Sequence, residues 1–374
     1  MIKFWSYKRE YEKNKNFLLK KIDSTLRKGN IFFGNELKTL EKNFIKENKA
    51  KYGVAVGSGT DALLVSLKTL NLKKGDEVIT AANTAIPTIS AIMNAGGKPK
   101  LVDIGEDYLI DVKKIEKAIS KKTKAIIPVH LYGQMCDMHT ILKIAKKRKL
   151  IVIEDCAQSQ GAKFKNSYSG TLGKFGCFSF YPTKILGAYG DGGFITTNDF
   201  NLYKKIKRIR FYGIETVENS KFKNKYYSNE NGLNSRLDEI QSSILNFKLK
   251  KTKYYIKRRR QIAKIYMREL SDTPLKLPKE NLNCFHVYHL FTVYHAKSNL
   301  IKKKLKSFNV ETRTIYPYPI QKMKAYSKLI TNKKDLSNSE KKSKNIFCLP
   351  LYPELTNKEV KKICFILKKI VNKI

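Results

Sequence analysis

The sequence lacks the features that mark secreted, metal-binding and membrane-spanning proteins. Its six cysteines are scattered over 374 residues, and none forms a CxxC pair or joins a histidine at a zinc-like spacing. We therefore expect no structural metal site. No apolar run approaches the length of a membrane span. Charged residues follow the first methionine too quickly for a signal peptide, so we expect a cytoplasmic protein.

Acidic residues are also scarce, since 32 aspartates and glutamates face 75 lysines and arginines, for a formal net charge of +43. One interpretation is a polyanionic partner such as nucleic acid. The other is that lysine fills the solvated faces. The basic residues are spread over the whole chain and are mostly lysine, although paired hydrogen bonds to phosphate favour arginine. We therefore expect no nucleic-acid partner and keep such binding as the alternative from a different functional class.

What the sequence does contain is an alternation of short apolar runs with segments of helical spacing. Runs such as Val78–Thr80, Ala125–Val129 and Leu150–Ile153 are typical of strands. Continuous apolar strands separated by helices predict an α/β fold with a mostly parallel sheet covered on both faces. Further along, the strands Cys177–Phe180 and Gly193–Thr197 are joined by a glycine-rich loop.

The second part of the chain departs from this alternation. A helical region is predicted from about Arg236 to Leu270, then a strand at Val287–Val293, and then lysine-rich helices around 301–308 and 358–371. We place a domain boundary near residue 250. Residues 1–250 would form an N-terminal arm and a large domain, and residues 251–374 a smaller α+β domain.

Three segments carry residue types suited to catalysis or ligand binding. In the first, Gly57–Leu63, small residues begin a helix, where backbone N–H groups and the helix dipole favour a phosphate. A Ser-Gly-Thr-Asp sequence before a helix is also an ordinary helix cap, and taken alone the cap is the favoured interpretation.

The other two segments place a carboxylate and an amine near strand ends. Asp155 ends a buried strand, where a carboxylate can serve a metal, a ribose or a protonated ring nitrogen, or can cap the next helix. Lys184 lies between a strand and the glycine-rich loop. A lysine that is partly desolvated there would have a lowered pKa and could form a Schiff base, whereas the alternative is one more surface lysine.

Together these segments resemble the DegT/DnrJ/EryC1/StrS family of nucleotide-sugar aminotransferases, which have the aspartate aminotransferase fold. The resemblance extends from about Gly34 to Glu354. The matching segments are Gly57–Leu63, Val129–Gln134, Glu154–Gln158, Ser179–Lys184 with the Gly-Asp-Gly-Gly that follows, Asn234–Gln241 and Leu349–Glu354.

The resemblance implies pyridoxal 5'-phosphate as cofactor, with pyridoxamine 5'-phosphate as its aminated form. It implies that Lys184 binds the cofactor covalently, that Asp155 keeps the ring nitrogen protonated, and that Gln158 lies beside the ring. Asn234 would reach the phosphate in the neighbouring subunit, so a homodimer with shared sites is expected. The implied phosphate contacts within the subunit are Gly59, Thr60 and Ser179.

The resemblance also implies amino transfer from L-glutamate to a nucleotide-linked keto sugar. Related dehydratases carry histidine at the position of Lys184. Tyr181 and the Gly-Asp-Gly-Gly segment resemble members that act on 3-keto sugars. We therefore predict a dTDP-linked 3-keto-6-deoxyhexose as acceptor, giving a 3-amino-3,6-dideoxyhexose for surface glycans such as the lipopolysaccharide O-antigen. A UDP-linked 3-keto sugar or a 4-keto sugar is the alternative, and a relative that binds cofactor without turnover is a third hypothesis.

The chain departs from the family pattern at two positions near the expected substrate site. Ala85 stands where relatives often carry an aromatic residue, and Ile315 stands where many carry histidine. The predicted substrate contacts are Tyr181, Arg313 and Tyr316, with a packing role as the alternative. The histidines predicted to be structural are His130, His286 and His289.

Overall fold

A computed structural model describes residues 1–215, 226–330 and 333–374. Its strands lie in three sheets, and the largest contains seven of them. In chain order the strands are β1 Tyr52–Val56, β2 Glu77–Ala81, β3 Lys98–Val102, β4 Thr123–Ile127, β5 Ile151–Asp155, β6 Lys163–Phe164, β7 Ser167–Tyr168, β8 Phe175–Ser179, β9 Gly193–Thr197, β10 Cys284–Phe285, β11 Phe291–Tyr294 and β12 Ile346–Leu349.

The large sheet has the spatial order β1-β9-β8-β5-β4-β2-β3. Strands β8, β5, β4, β2 and β3 are parallel to their neighbours in this series. Strand β9 runs antiparallel to both β1 and β8, and a connection without an intervening helix joins β8 to β9. The predicted α/β fold with a mostly parallel sheet is confirmed.

Helices cover the large sheet and build the rest of the chain. Several begin at side-chain caps, as where the Ser58 hydroxyl accepts the Asp61 N–H at 3.0 Å. The α-helices are α1 Tyr7–Arg27, α2 Asn35–Asn48, α3 Gly59–Lys68, α4 Ile86–Asn94, α5 Val112–Ala118, α6 Met138–Arg148, α7 Phe200–Ile209, α8 Glu239–Leu249, α9 Thr252–Leu270, α10 Ser298–Ser307, α11 Lys324–Ser327, α12 Ser337–Asn345 and α13 Asn357–Val371. In the described ranges, none of these helices has the length and apolar character needed to cross a membrane.

The helical region predicted from about Arg236 to Leu270 is confirmed in its extent, but a break divides it into two helices. Helix α8 begins after Asp238, whose side chain caps it, and the chain turns at Lys250 before α9. Helix α8 packs against α1 and α2, whereas α9 packs against α13. The two helices serve different cores, yet the apolar spacing runs on through the break and gives no signal of it.

The strand predicted at Val287–Val293 is also shorter than expected. Only Phe291–Tyr294 pairs as a strand, with β12 as its partner. The preceding residues form a loop fixed to another loop of the large domain. Val287 N–H donates to the Gly133 carbonyl at 2.9 Å, and Leu290 N–H donates to that of Tyr132 at 3.2 Å. Tertiary contacts therefore override the strand propensity of this segment.

The residues after α8 surround a core of their own. Its fully buried side chains include Tyr266 on α9, Phe291 on β11 and Phe347 on β12. The start of the chain joins this core, because Ile2 packs into it and pairs with Val310. We propose the domain division at the turn between α8 and α9, next to residue 250, with the first residues of the N-terminal arm lying on the smaller domain.

Candidate active site

The candidate site lies where β5 and β8 end side by side. The two strands are parallel, and Asp155 at the end of β5 is the register partner of Cys177 in β8. Ser179 ends β8 two residues later. The carboxyl ends of neighbouring parallel strands face the crevice in which open α/β sheets bind ligands.

Asp155 is buried, with 4% of its surface exposed. Its Oδ1 accepts the Ala157 N–H at 3.1 Å, and its Oδ2 accepts the Thr88 hydroxyl at 2.9 Å. Burial raises the pKa of Asp155, while these two hydrogen bonds and then the charge of Lys184 act in the opposite direction. The donors thus hold the carboxylate in one orientation and favour its ionised form.

Lys184 follows β8 in a tight turn in which its N–H donates to the Tyr181 carbonyl at 2.9 Å. Burial lowers the pKa of Lys184 to about 8, and the Asp155 carboxylate raises it in part. Asp155 and Lys184 follow neighbouring parallel strands at one edge of the sheet, and each acts on the pKa of the other. Lys184 is not one of the solvated surface lysines.

The start of α3 lies against the end of β8. A Cβ added to Gly59 would lie 2.6 Å from the Ser179 Cβ, so glycine is needed for this close approach. The first N–H groups of a helix have no partner within the helix. The Ser58 hydroxyl accepts the N–H of Asp61, and Gly59 and Thr60 are the first two residues of the helix. The three predicted phosphate contacts of the subunit are therefore together.

Two residues of the segment Asn234–Gln241 lie beside this helix start. The Ser235 hydroxyl accepts the Gly57 N–H at 2.9 Å and donates to Asp61 Oδ2 at 2.9 Å, so it fixes the loop before α3. Ser235 was not among the predicted site residues, although it lies in a segment that the resemblance had marked. Asn234 is exposed on the surface of the single chain, next to Ser235.

Gln158 joins the site to the smaller domain. Its Oε1 accepts the Tyr132 N–H at 2.8 Å, and its Nε2 donates to the Tyr316 hydroxyl at 3.0 Å. Burial and then the charge of Asp155 raise the pKa of Tyr316, so Tyr316 also faces the carboxylate. The Tyr132 hydroxyl donates to the Ile315 carbonyl at 2.5 Å and closes this network.

The other two predicted substrate contacts lie outside the buried group. Tyr181 has 50% of its surface exposed. The Arg313 guanidinium lies 3.3 Å from Glu311 Oε1. Burial and then Tyr181 raise the pKa of Tyr7, and Arg313 lowers it. Tyr181 and Arg313 thus both act electrostatically on Tyr7 of the N-terminal arm.

The three histidines predicted to be structural differ from one another. His130 Nε2 lies 2.9 Å from Glu154 Oε2, and the His286 ring stacks on Tyr288 with centroids 4.0 Å apart. His289 is buried, and its Nδ1 has no hydrogen-bond partner in the described part of the chain. Burial and then the charge of Lys184 lower the pKa of His289. His289 is therefore close to the lysine.

Thr88 is the main site residue that the sequence did not reveal. It lies on α4, far from Asp155 in the chain, and its hydroxyl reaches Asp155 directly. A signal was present, because Thr84 and Thr88 lie just before and just inside the start of α4, the helix that follows β2. Because β2, β4 and β5 are parallel, β2 ends at the same edge of the sheet as β5, so residues that follow β2 can reach the end of β5.

The donor set fits a phosphorylated pyridine aldehyde. The helix start at Gly59 offers N–H groups and the positive end of the helix dipole to a phosphate. Asp155 offers a buried carboxylate to a protonated ring nitrogen. Lys184 offers an amine of lowered pKa to an aldehyde. These three chemical groups converge on one crevice.

Comparison with known proteins agrees with this geometry. Residues 12–368 match the DegT/DnrJ/EryC1/StrS aminotransferase family. The chain is 37% identical to dTDP-3-amino-3,4,6-trideoxy-alpha-D-glucose transaminase of Micromonospora megalomicea subsp. nigra, over 94% of either protein. It is 38% identical to dTDP-3-amino-3,6-dideoxy-alpha-D-galactopyranose transaminase of Aneurinibacillus thermoaerophilus, over 91% of this chain and 92% of that one.

Similar proteins also include one named for a UDP-linked sugar and one of known structure. UDP-2-acetamido-2-deoxy-3-oxo-D-glucuronate aminotransferase of Pseudomonas aeruginosa is 36% identical over 97% of this chain and 99% of its own. The crystal structure of S. venezuelae DesV in complex with a ketimine intermediate superposes with a TM-score of 0.94 at 31% identity, covering 100% of this chain and 99% of that one. The chain therefore belongs to the DegT/DnrJ/EryC1/StrS aminotransferase family and is a pyridoxal-phosphate-dependent aminotransferase.

Proposed function

We propose that the protein transfers the amino group of L-glutamate to a dTDP-linked 3-keto-6-deoxyhexose and produces a dTDP-3-amino-3,6-dideoxyhexose. The observation that carries the catalytic part is geometric: Asp155 ends β5, and Lys184 lies in the turn after its parallel neighbour β8, at one edge of the sheet. A lysine and a carboxylate so arranged can bind opposite ends of one pyridine ring.

Lys184 is the residue that we propose to bind the cofactor aldehyde, and Asp155 the residue that keeps the ring nitrogen protonated. When bound, pyridoxal phosphate supplies an electron sink for the pair of electrons left as a proton leaves the amino-bearing carbon. Asp155 has two fixed hydrogen bonds, so its carboxylate needs little reorganisation to face that nitrogen.

Lys184 would also move the proton that leaves the amino-bearing carbon. With its Nζ unbound, Lys184 would be a base held at the cofactor site. Because burial lowers the pKa of Lys184 to about 8, this amine can both accept and return a proton near neutral pH. An exposed lysine, with a pKa near 10.4, would remain charged and could not accept one.

The phosphate would be bound at the start of α3. Gly59 and Thr60 would contribute their N–H groups, and Ser179 its hydroxyl, since the Gly59 approach brings that side chain to the helix start. We propose that Asn234 serves the phosphate of the neighbouring subunit, in a homodimer with shared sites. Its exposure on the single chain leaves its amide available for such a contact.

Gln158 would pack beside the ring, with its amide fixed by Tyr132 and Tyr316. The Tyr316 hydroxyl accepts the Gln158 N–H, so its own proton can be donated to the sugar. Tyr181 and Arg313 would lie at the mouth of the site, where their exposure suits a nucleotide that extends towards solvent. Arginine suits the diphosphate because it forms paired hydrogen bonds.

The choice of sugar is supported by two features. Tyr181 and the Gly-Asp-Gly-Gly of residues 190–193 resemble members that act on 3-keto sugars, and two of the relatives above are named for dTDP-3-amino sugars. The UDP-linked 3-keto sugar is the next candidate, because a relative of similar identity is named for one. We further propose a cytoplasmic enzyme whose product enters surface glycans, in which amino-deoxyhexoses are building blocks.

A substrate panel tests this proposal. The purified enzyme would be given L-glutamate with dTDP- and UDP-linked 3-keto and 4-keto sugars, and the new amine would be located in the product by NMR. The expected result is the highest kcat/KM for the dTDP-linked 3-keto-6-deoxyhexose, with nitrogen at carbon 3. Nitrogen at carbon 4, or a preference for the UDP sugar, would overturn the substrate assignment and leave the aminotransferase assignment intact.

A further inference from the structure

Two threonine hydroxyls and the Asp155 carboxylate form a chain inside the large domain. The Thr84 and Thr88 hydroxyl oxygens are 2.9 Å apart, and the Thr88 hydroxyl donates to Asp155 Oδ2 at 2.9 Å. All three residues are buried, with 1%, 0% and 4% of their surfaces exposed. Water therefore does not compete for these hydrogen bonds.

The direction of the chain follows from counting protons. A hydroxyl has one proton, and an ionised carboxylate can only accept. Because Thr88 donates its proton to Asp155, it must accept in its contact with Thr84. The Thr84 hydroxyl is then the donor in that contact. Both O–H dipoles are therefore aligned towards the carboxylate, and hydrogen bonds aligned in this way polarise one another.

The chain lies between the ends of two strands that are not adjacent. Thr84 and Thr88 follow β2, Asp155 ends β5, and β4 separates the two strands. Thr88 reaches across this gap to Oδ2, whereas Oδ1 is held locally by the Ala157 N–H. Each carboxylate oxygen thus has one fixed donor, and Thr88 is the donor that determines the rotation of the carboxylate about its Cβ–Cγ bond.

We propose that Thr84 and Thr88 form a hydroxyl relay that orients Asp155 and keeps it ionised, so that Thr88 is a positioning residue for the reaction and Thr84 supports it. This inference rests on the role proposed above for Asp155. The other titratable groups with an electrostatic effect on Asp155 are Lys184 and His130, and Asp155 acts in turn on Tyr316. Neither threonine is assigned contact with substrate.

The test uses the cofactor-loaded enzyme with the variants Thr88→Val, Thr88→Ser and Thr84→Val. Valine keeps the shape of threonine and removes the hydroxyl. The first readout is the pH midpoint of the absorbance change of the lysine-bound cofactor, and the second is kcat and KM for L-glutamate. The matched control is Thr80→Val, because the Thr80 hydroxyl is equally buried and donates to the Ile127 carbonyl at 2.9 Å, away from Asp155.

We expect Thr88→Val to lower kcat about tenfold, in keeping with the loss of one hydrogen bond to a charged group, with less than a twofold change in KM. The pH midpoint should rise, because the ring nitrogen of the cofactor would be protonated to a smaller extent. A ring with less positive charge repels the proton on the Lys184 nitrogen less strongly. Thr84→Val should lower kcat about threefold. The double variant should match Thr88→Val alone, because Thr84 acts through Thr88. Thr88→Ser should restore both readouts, and Thr80→Val should leave them unchanged.

The controls separate failure of this inference from failure of the proposed function. If Asp155→Asn loses activity while Thr88→Val has the kcat and pH midpoint of the parent, the relay is refuted and the role of Asp155 stands. If Asp155→Asn itself keeps full activity, the proposed function fails first. If Thr88→Val does not fold, the pH midpoint of Thr88→Ser is compared with that of Thr88→Ala. Equal midpoints for these two variants would refute the relay.

Discussion

Glu154 and Asp155 are neighbours at the end of β5 and both are buried, but their carboxylates differ in how many hydrogen bonds the protein gives them. The Glu154 carboxylate accepts N–H groups from Gly170 at 3.0 Å, Leu172 at 2.8 Å and Gly173 at 2.6 Å. His130 supplies a fourth donor. Its Nδ1 accepts the Cys136 N–H at 3.2 Å, so its Nε2 carries the proton that it donates to Glu154 at 2.9 Å.

Asp155, by contrast, has two such donors. A carboxylate has about four acceptor sites, so Glu154 is saturated by the fold whereas Asp155 has capacity left for a ligand. Successive residues of a strand point to opposite faces, and this alternation separates the structural carboxylate from the catalytic candidate. The saturation also explains why we propose no metal at Glu154, although its ligand atoms, with those of His130 and Cys156, lie within 4.8 Å of one another.

The largest effect is expected when the Lys184 amine is removed, because Asp155 is proposed to act together with this amine on one cofactor. We expect Lys184→Ala to lower kcat with L-glutamate about a thousandfold, since positioned proton transfer is worth about 10²–10⁴-fold in rate. Lys174→Ala is the matched control, because Lys174 is exposed and paired with Asp199. A Lys184→Ala enzyme with more than a tenth of the parental kcat would show that the base lies elsewhere.

Replacement of the unsaturated carboxylate should affect chemistry and spare the fold. We expect Asp155→Asn to lower kcat about a hundredfold, because an amide cannot sustain the protonated ring nitrogen. Burial raises the pKa of Asp155, so its charge opposes folding at neutral pH, and the thermal midpoint of the cofactor-free variant should not fall. Steady-state kinetics and calorimetry measure both. A lower thermal midpoint with unchanged kcat would reverse the assignment.

Replacement of Glu154, the saturated carboxylate, should destabilise the fold and spare the chemistry. We expect Glu154→Gln to lower the free energy of unfolding by about 2–3 kcal/mol, because a neutral amide weakens charge-assisted hydrogen bonds and its single oxygen cannot accept all four donors. The kcat of the folded fraction should stay within about threefold of the parent. Denaturant unfolding and active-site titration give these two values. Loss of kcat at unchanged stability would mean that Glu154 belongs to the chemistry.

The pH dependence of cofactor binding tests whether Lys184 differs from a solvated lysine. The pKa of Lys184 is lowered to about 8, so its amine is mostly protonated below pH 8 and mostly neutral above it. Only the neutral amine attacks an aldehyde. The rate of pyridoxal phosphate binding to the cofactor-free protein, measured by stopped-flow absorbance, should therefore rise with a midpoint near pH 8 and then level off. A rate that still rises steeply at pH 10 would indicate an ordinary, solvated lysine.

Much of the site could be predicted from the sequence, because its residues lie in short segments whose residue types suit phosphate binding, contact with a ring nitrogen or Schiff-base formation. The segments around Gly59, Asp155 and Lys184 each gave a weak indication alone, and their order along the chain gave a strong one. The parallel sheet then explains why they meet, since the carboxyl ends of its strands share one edge. The alternation of apolar runs predicted that sheet.

What could not be predicted depends on contacts between distant segments. Thr88 bonds to Asp155 only because β4 inserts between β2 and β5 and sets their separation. The turn at Lys250 has no proline or glycine to announce it, and the loop before β11 is fixed by Tyr132 and Gly133 rather than by its own propensity. The closeness of His289 to Lys184 likewise depends on that loop.

The most direct test of the central claim is to identify the lysine that binds the cofactor. Treating the holoenzyme with borohydride fixes the cofactor on its lysine, and peptide mass spectrometry then locates it. The account predicts that the modification falls on Lys184 in the parent and is lost in Lys184→Ala. Stoichiometric modification of any other lysine, with Lys184 unmodified, would contradict it.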